Sequence, residues 1–148
     1  MKKLFFAALA IIVFTASSFA ATNEVSNKVL LQFKHAYSNV SEVNWYTTAN
    51  FTRASFVKEG KQMEVFYTPD GDLMGTSEAI GFSTLPTRAI TTIAKRFPAN
   101  EYTVKACIQF ANANDEQTKY VSVENKKKKI VLEIDPSGNV SVFQESRK

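Results

Sequence analysis

Short runs of alternating apolar and polar residues, joined by tight turns, are the feature that most constrains the fold of this chain. The run QMEVFYT at residues 62–68 alternates in this way, and the turn sequence TPDG at residues 68–71 follows it. Proline presets φ for such a turn, and glycine accepts the positive φ that it requires. Because tight turns join antiparallel neighbours, the pattern predicts a meander and argues against a parallel sheet.

The same reasoning extends over the chain and predicts eight strands and two helices. The helices are expected near residues 27–38, with a cap at Ser26 or Asn27, and over Leu85–Phe97. The strands are expected at Val43–Thr47, Thr52–Lys58, Gln62–Thr68, Leu73–Ser77, Tyr102–Phe110, Lys119–Glu124, Ile130–Ile134 and Val140–Phe143.

The second helix has the clearest signals for its two ends. Ser83 and Thr84 are residue types that cap helix N-termini, and Pro86 is tolerated in a first turn because no backbone N–H is needed there. Pro98 ends the helix. Its apolar residues recur at helical spacing, which predicts a helix that covers one face of a sheet.

The two halves of the chain resemble each other. The turn residues Pro69 and Gly71 have counterparts at Pro136 and Gly138, and the helices end in the aromatic residues Tyr37 and Phe97. We therefore predict an α+β fold in two layers, a tandem repeat of a helix plus a four-stranded antiparallel meander, with the helices on one sheet face. The repeat halves are expected at residues 27–80 and 83–145, within one domain over 21–148.

Residues 1–20 have the pattern of a secretory signal peptide. Lys2 and Lys3 precede an apolar run that is too short to span a bilayer, and small residues precede the expected cleavage after Ala20. We expect a periplasmic or secreted protein, without a membrane span and, since no cysteine lies near the junction, without a lipid anchor. The remaining chain has 16 Lys and Arg against 14 Asp and Glu, a net charge of +2 that does not indicate nucleic-acid binding.

No catalytic constellation or cofactor motif is apparent, and the chain is expected not to be an enzyme. His35 is the sole histidine and Cys107 the sole cysteine, so neither a multi-ligand metal site nor an internal disulfide is expected. Asp70 and Asp72 begin like a calcium-binding loop that then departs from the pattern, which leaves weak calcium binding open. An enzyme built on carboxylates such as Glu64 or Glu133 is the least favoured alternative.

Strand alternation places several large side chains on the sheet face that the helices do not cover. Because aromatic residues are favoured at interface centres, these are the candidate partner contacts: Tyr46, Phe66, Tyr120, Val131 and Phe143. Cross-strand packing that stiffens the sheet, or burial by the other half of the chain, is the alternative reading. The run Lys126, Lys127, Lys128 and Lys129 forms a basic turn that could meet an anionic surface such as a membrane or a polysaccharide, or could be a solvated turn.

The order of several short motifs resembles a known family. The segment Val43-Asn44-Trp45, the run MEVFYTPDGDL, and a helix that opens with Leu85-Pro86 and closes with Phe97-Pro98 resemble exported PepSY-like domain proteins with a beta-lactamase-inhibitor-like fold. The resemblance covers roughly residues 28–145. It implies a small non-enzymatic protein that binds or restrains another protein of the cell envelope. An envelope protein that binds a ligand or an anionic polysaccharide is the alternative.

Overall fold

The computed structural model describes residues 24–148, so the predicted signal peptide lies outside the described residues. None of the helices in this range is long and apolar enough to cross a membrane. The helices are α1 (Asn27–Ala36) and α2 (Thr87–Arg96), with a short 3-10 helix at Phe82–Thr84. The strands are β1 (Asn44–Thr47), β2 (Thr52–Lys58), β3 (Lys61–Tyr67), β4 (Leu73–Ala79), β5 (Thr103–Asn112), β6 (Gln117–Glu124), β7 (Lys128–Ile134) and β8 (Val140–Arg147).

All eight strands belong to one antiparallel sheet, in which their order follows the sequence from β1 to β8. The predicted fold class was therefore wrong. The fold is mostly β, with one eight-stranded sheet and two helices, rather than a tandem repeat of a helix and a four-stranded meander. Alternation shows which residues share a face, but it carries no information about which strands become neighbours across a helical connection.

The contacts divide the chain into two compact units, and the first, here the N-terminal unit, comprises residues 24–79 together with Phe110–Glu116. Helix α1 begins where predicted, because the Ser26 hydroxyl accepts a hydrogen bond from the backbone N–H of Val29 at 3.3 Å. The helix buries Val29 and Phe33 against apolar side chains of β2 and β3, namely Ala54, Phe56, Val65 and Tyr67.

The second unit, here the C-terminal unit, comprises Ile80–Gln109 and Gln117–Lys148. Its helix α2 buries Ala89 and Ile93 in a cluster with Leu85 and with apolar residues of the strands, namely Cys107, Val121, Val123, Ile130, Leu132 and Ile134. On β3 and β7 the cluster residues form the alternating set that faces away from Phe66 and Val131, as the sequence pattern predicts. On β5 the cluster instead contains Cys107 and not the more apolar set of Val104, Ala106 and Ile108.

The N-terminus of α2 differs from the prediction. The helix begins at Thr87, with Pro86 in the cap position and no side-chain cap, while Ser83 and Thr84 lie in the preceding 3-10 turn. Leu85 is extended, with ψ of 155°, because a residue before proline is disfavoured in the helical region. That restriction separates the predicted capping residues from the helix.

Candidate functional site

The candidate site is the sheet face of the N-terminal unit that lies opposite α1, here called the outer face. Since Ala54 and Val65 pack toward α1, their strand neighbours point to the other side. The register pairs Arg53 with Phe66 and Ser55 with Glu64 across β2 and β3. On β4, Gly75 lies opposite Phe66, and Ser77 lies opposite Glu64. The outer face thus combines a row of polar residues with a row of aromatic residues.

Four rings form the aromatic row, defined as Tyr46, Phe51, Phe66 and Phe110. The centroid distances between successive rings are 6.1, 6.3 and 6.3 Å, and the planes are tilted or edge-on. These distances and angles are those that aromatic quadrupoles favour. Gly75 makes room for the last ring, because a Cβ atom there would lie 2.4 Å from Cζ of Phe110. The row is a rigid apolar base beside the polar residues.

The polar row consists of Ser55, Glu64 and Ser77, and Glu64 forms an ion pair with Arg53, which lies opposite Phe66. Nη1 of Arg53 donates to Oε1 of Glu64 at 3.1 Å, and the guanidinium lies over the Tyr46 ring at 5.2 Å. The hydroxyls of Ser55 and Ser77 donate to the two oxygens of the same carboxylate at 3.2 and 3.3 Å. The two charged side chains are only 15% and 18% exposed. Besides the ion pair itself, Tyr46 therefore fixes the position of the guanidinium, and the two serine hydroxyls fix that of the carboxylate.

The ion pair does not fully offset the cost of burying its two charged groups. Burial raises the pKa of Glu64 above its ordinary value, although Arg53 and the two serine hydroxyls act in the opposite direction. Nε of Arg53 is buried and has no hydrogen-bond partner. A buried donor without a partner lowers the stability of the folded chain, so the ion pair is not fully satisfied within its own sheet.

The five predicted partner contacts differ from the expected exposed surface. Phe66, Tyr120 and Val131 are only 3%, 1% and 4% exposed, while Tyr46 and Phe143 are half-buried. The expectation that these side chains are uncovered was therefore wrong for three of the five. Strand alternation indicates which sheet face a side chain is on, but it does not indicate whether neighbouring side chains on that face cover it. Their role in partner binding stays a prediction.

Tyr120 illustrates this lateral packing within the C-terminal unit. Its ring lies edge-on to Phe143 at 5.2 Å, and its hydroxyl donates to Oε2 of Glu133 at 3.4 Å. Burial, with a further contribution from Glu133, raises the pKa of Tyr120. Glu133 is therefore engaged by a neutral phenol and does not face a second carboxylate in this interaction.

The basic turn has a defined structure between β6 and β7. Oδ1 of Asn125 accepts from the backbone N–H groups of Lys127 and Lys128, both at 2.9 Å. Lys126 and Lys127 are exposed, and Nζ of Lys128 lies 3.1 Å from a carboxylate oxygen of Glu145. Partial burial, together with the nearby Lys148, lowers the pKa of Lys129. The turn thus presents two lysines to solvent and holds two others along β7.

The other positions that the sequence singled out include Asp72, His35 and Cys107. Asp72 pairs with Lys28 at 3.1 Å, so its carboxylate is already engaged. Over residues 24–148 there is no group of three or more His, Cys, Asp or Glu residues that could hold a metal ion. His35 is exposed. Cys107 is buried, and burial raises the pKa of its thiol to about 11.

Sequence reasoning missed Arg53, Phe51 and Phe110 as members of the site. One signal could have found the ion pair. The Glu59-Gly60 turn joins β2 and β3 as a two-residue hairpin, in which Lys58 pairs with Lys61. Counting back from that turn places Ser55 opposite Glu64 and Arg53 one step away on the same face. No comparable local signal places Phe110, which is distant in sequence.

Three solved structures resemble this chain over most of its length, whereas no protein-family model and no curated protein sequence matches it. A candidate periplasmic protein from Bacteroides eggerthii has a TM-score of 0.71 at 16% identity, covering 84% of this chain and 90% of its own. A DUF2874 family protein from Bacteroides uniformis has a TM-score of 0.69 at 14% identity, with the same coverages. A BLIP-like protein from Bacteroides fragilis has a TM-score of 0.64 at 19% identity and covers 84% and 87%.

These identities are too low to transfer a function, but the agreement over whole chains shows the fold. The predicted likeness to PepSY domains is not represented among these structures and stays a prediction. The chain has a BLIP-like fold.

Proposed function

We propose that this chain is a non-enzymatic periplasmic protein that binds a protein partner through the outer face of its N-terminal unit. The supporting observation is the largely desolvated Arg53–Glu64 pair beside the aromatic row, on the sheet face opposite α1. The signal-peptide pattern of residues 1–20 and the likeness to a candidate periplasmic protein and a BLIP-like protein support the location and the binding role.

The residue types on the outer face suit protein recognition. Arginine and tyrosine are enriched among residues that dominate binding energies, and they act best on a rigid, well-packed base. Tyr46 and Arg53 retain exposed surface, whereas Phe51 and Phe66 are buried beneath and beside them. The Arg53 side chain keeps 15% of its surface exposed, and through that part its guanidinium would donate to a carbonyl or carboxylate oxygen of a partner.

The chemistry of the candidate nucleophiles and acids also favours binding over catalysis. Glu64 accepts three hydrogen bonds from side chains of its own sheet, and Glu133 accepts one from Tyr120. Cys107 has a thiol pKa of about 11, so very little thiolate forms near neutral pH. Each of these groups has a structural partner or an unreactive state, which supports the non-enzymatic proposal.

Site-specific photo-crosslinking in the envelope of producing cells would test the proposed face. A benzophenone amino acid placed at Tyr46 should give a discrete protein adduct. The same group at Leu31, which is 70% exposed on α1, should give no such adduct. Discrete adducts of equal yield from both positions, or none from Tyr46, would contradict the proposal.

A second arm asks whether the ion pair takes part. The double variant Arg53→Met with Glu64→Gln removes both charges together, which avoids leaving one buried charge without its partner. The adduct at Tyr46 should fall at least tenfold, since a hydrogen-bonded interface arginine contributes about 2 kcal/mol or more. Arg88→Met, an exposed arginine on α2, is the matched control and should leave the adduct unchanged.

A further inference from the structure

Positive charge is concentrated at one end of the strands of the C-terminal unit. Strand β6 ends at Glu124, β7 begins at Lys128 and β8 ends at Arg147, so these positions lie at the same end of neighbouring antiparallel strands. The register pairs Glu124 with Lys129 and Lys128 with Arg147. We call this group the basic end, and its members are Lys105, Glu124, Lys126, Lys127, Lys128, Lys129, Glu145, Arg147 and Lys148.

Ion pairs fix part of the basic end without neutralising it. Glu124 receives Nζ of Lys105 at 3.0 Å and Nζ of Lys148 at 2.9 Å, and Glu145 receives Lys128 at 3.1 Å. The backbone N–H of Lys148 also donates to the carbonyl of Lys127 at 3.0 Å. Two carboxylates thus hold three lysines in place within a group of seven cations.

The net charge of the basic end is opposite to that of the rest of the described chain. Seven cations and two carboxylates give the basic end a net charge of +5. The rest of residues 24–148 has nine Lys and Arg against twelve Asp and Glu, a net charge of −3. This separation of charge would orient the protein in the field of an anionic surface, with the basic end toward it.

We infer that the basic end binds the surface of a membrane that contains anionic phospholipids. Lys126, Lys127 and Arg147 are exposed and form no ion pair within residues 24–148, so they are available to lipid phosphates. Lipid headgroups diffuse laterally and adjust to a fixed set of cations, so a flat surface needs no preformed groove. None of the nine members is aromatic, and the cluster therefore lacks rings on which a sugar could stack.

This inference is independent of the proposed partner on the outer face, which uses other residues. It would place the protein at a membrane while the outer face engages its partner. Each lysine near an anionic membrane contributes about 1 kcal/mol, or about a fivefold increase in partitioning. Removing the charges of two exposed lysines should therefore reduce membrane partitioning about 25-fold.

Co-sedimentation of the purified protein with vesicles would test the inference. We expect binding to vesicles of equimolar phosphatidylglycerol and phosphatidylethanolamine, and no binding to vesicles of phosphatidylethanolamine with phosphatidylcholine. Binding should be lost between about 0.1 M and about 1 M salt, because the screening length falls from about 10 Å to about 3 Å. Equal binding to the neutral vesicles, or salt-independent binding, would overturn the inference.

Matched variants connect the result to the basic end. Lys126→Gln with Lys127→Gln should weaken partitioning about 25-fold. The hydrogen bonds to Asn125 use backbone N–H groups, so the turn is retained in this variant. Lys34→Gln with Lys95→Gln changes one exposed lysine on each helix and should have little effect. An equal loss in both variants would overturn the assignment to the basic end.

An anionic polysaccharide is the competing ligand, and alginate in solution is its probe. If the protein binds alginate in a salt-dependent manner but fails to bind the phosphatidylglycerol vesicles, the membrane inference is wrong and the basic end recognises polysaccharide. The membrane inference is supported if vesicle binding depends on Lys126 and Lys127. It also requires that the protein binds alginate more weakly than vesicles at an equal concentration of negative charge.

Discussion

Replacing Gly75 by alanine tests whether the aromatic row depends on the absence of one side chain. In β4 this glycine lies opposite Phe66, and the ring of Phe110 lies across it. An added Cβ would be 2.4 Å from Cζ of Phe110 and 2.6 Å from the carbonyl oxygen of Ala111. Both distances are well below the contact that a real Cβ makes, so the substitution is a steric perturbation.

The expected loss in the free energy of unfolding depends on which atoms must move to admit the new methyl group. The ring must retreat by about 1 Å, and the carbonyl of Ala111 belongs to the backbone of β5, so a change of side-chain rotamer cannot relieve the second contact. Overpacking in a well-packed region costs about 1–3 kcal/mol, and movement of ring and backbone together places this variant at about 2–3 kcal/mol. The urea midpoint should fall by about 1 M.

Urea unfolding followed by the fluorescence of Trp45 would measure this change. Trp45 is the sole tryptophan and packs against Phe33 in the same unit, with ring centroids 5.0 Å apart. Gly81→Ala is the control, because its nearest atom, Oγ of Ser83, would lie at an ordinary 3.6 Å. It should change the free energy of unfolding by less than about 0.5 kcal/mol. Wild-type stability in Gly75→Ala, or equal loss in the control, would refute the reasoning.

Four further predictions concern stability and reactivity. The pKa of Glu64 is raised in the folded state, so this carboxylate binds a proton more tightly in the folded chain than in the unfolded chain. As the pH falls between the folded and the unfolded pKa, the free energy of unfolding of the wild type should therefore increase relative to that of Glu64→Gln. Urea titrations at several pH values measure this difference, and a decrease would contradict the prediction. Cys107 should react with a thiol reagent only as urea unfolds the chain, because its thiol is buried and has a pKa of about 11, and rapid labelling of native protein would contradict this. Ile93→Ala should lower the free energy of unfolding by about 2–5 kcal/mol in chemical denaturation, since the side chain is fully enclosed, and a loss below 1 kcal/mol would indicate that the core repacks. Ser26→Ala should lose about 1 kcal/mol in the same assay by removing the cap of α1, whereas Ser26→Asp should retain it.

Local sequence chemistry was sufficient for most element positions. Strand β2 has the predicted bounds, and the other strands differ from prediction mainly by extension at their ends, as in β8, which continues from Phe143 to Arg147. Ends are harder to predict because hydrogen bonding to a neighbouring strand can extend a strand through polar residues that show no alternation. The capping error before α2 has a local cause, since the conformational restriction that Pro86 imposes on Leu85 outweighs the capping tendency of Ser83 and Thr84.

The candidate site was predicted less well than the elements. Tyr46 and Phe66 were correctly assigned to the face away from α1, but the ion pair beside them was missed and the burial of Phe66 was not expected. Face assignment follows from a period of two residues. Burial of Phe66 depends on Phe51 and Phe110, and Phe110 is far away in the sequence. No pattern within one strand contains that information.

The sequence by itself determined which segments are strands and helices, and on strands such as β3 and β7 which residues face the helices, because alternation, turn chemistry and helical spacing are local properties. Only the tertiary structure decided that the eight strands form one sheet, that Arg53 and Glu64 are desolvated together, and that the cations of β5, the β6–β7 turn and β8 converge at one end. Strand pairing, desolvation and charge clustering depend on residues that are distant in the chain. The free energy of folding that favours these arrangements is a sum over all of those residues, so no single segment contains it.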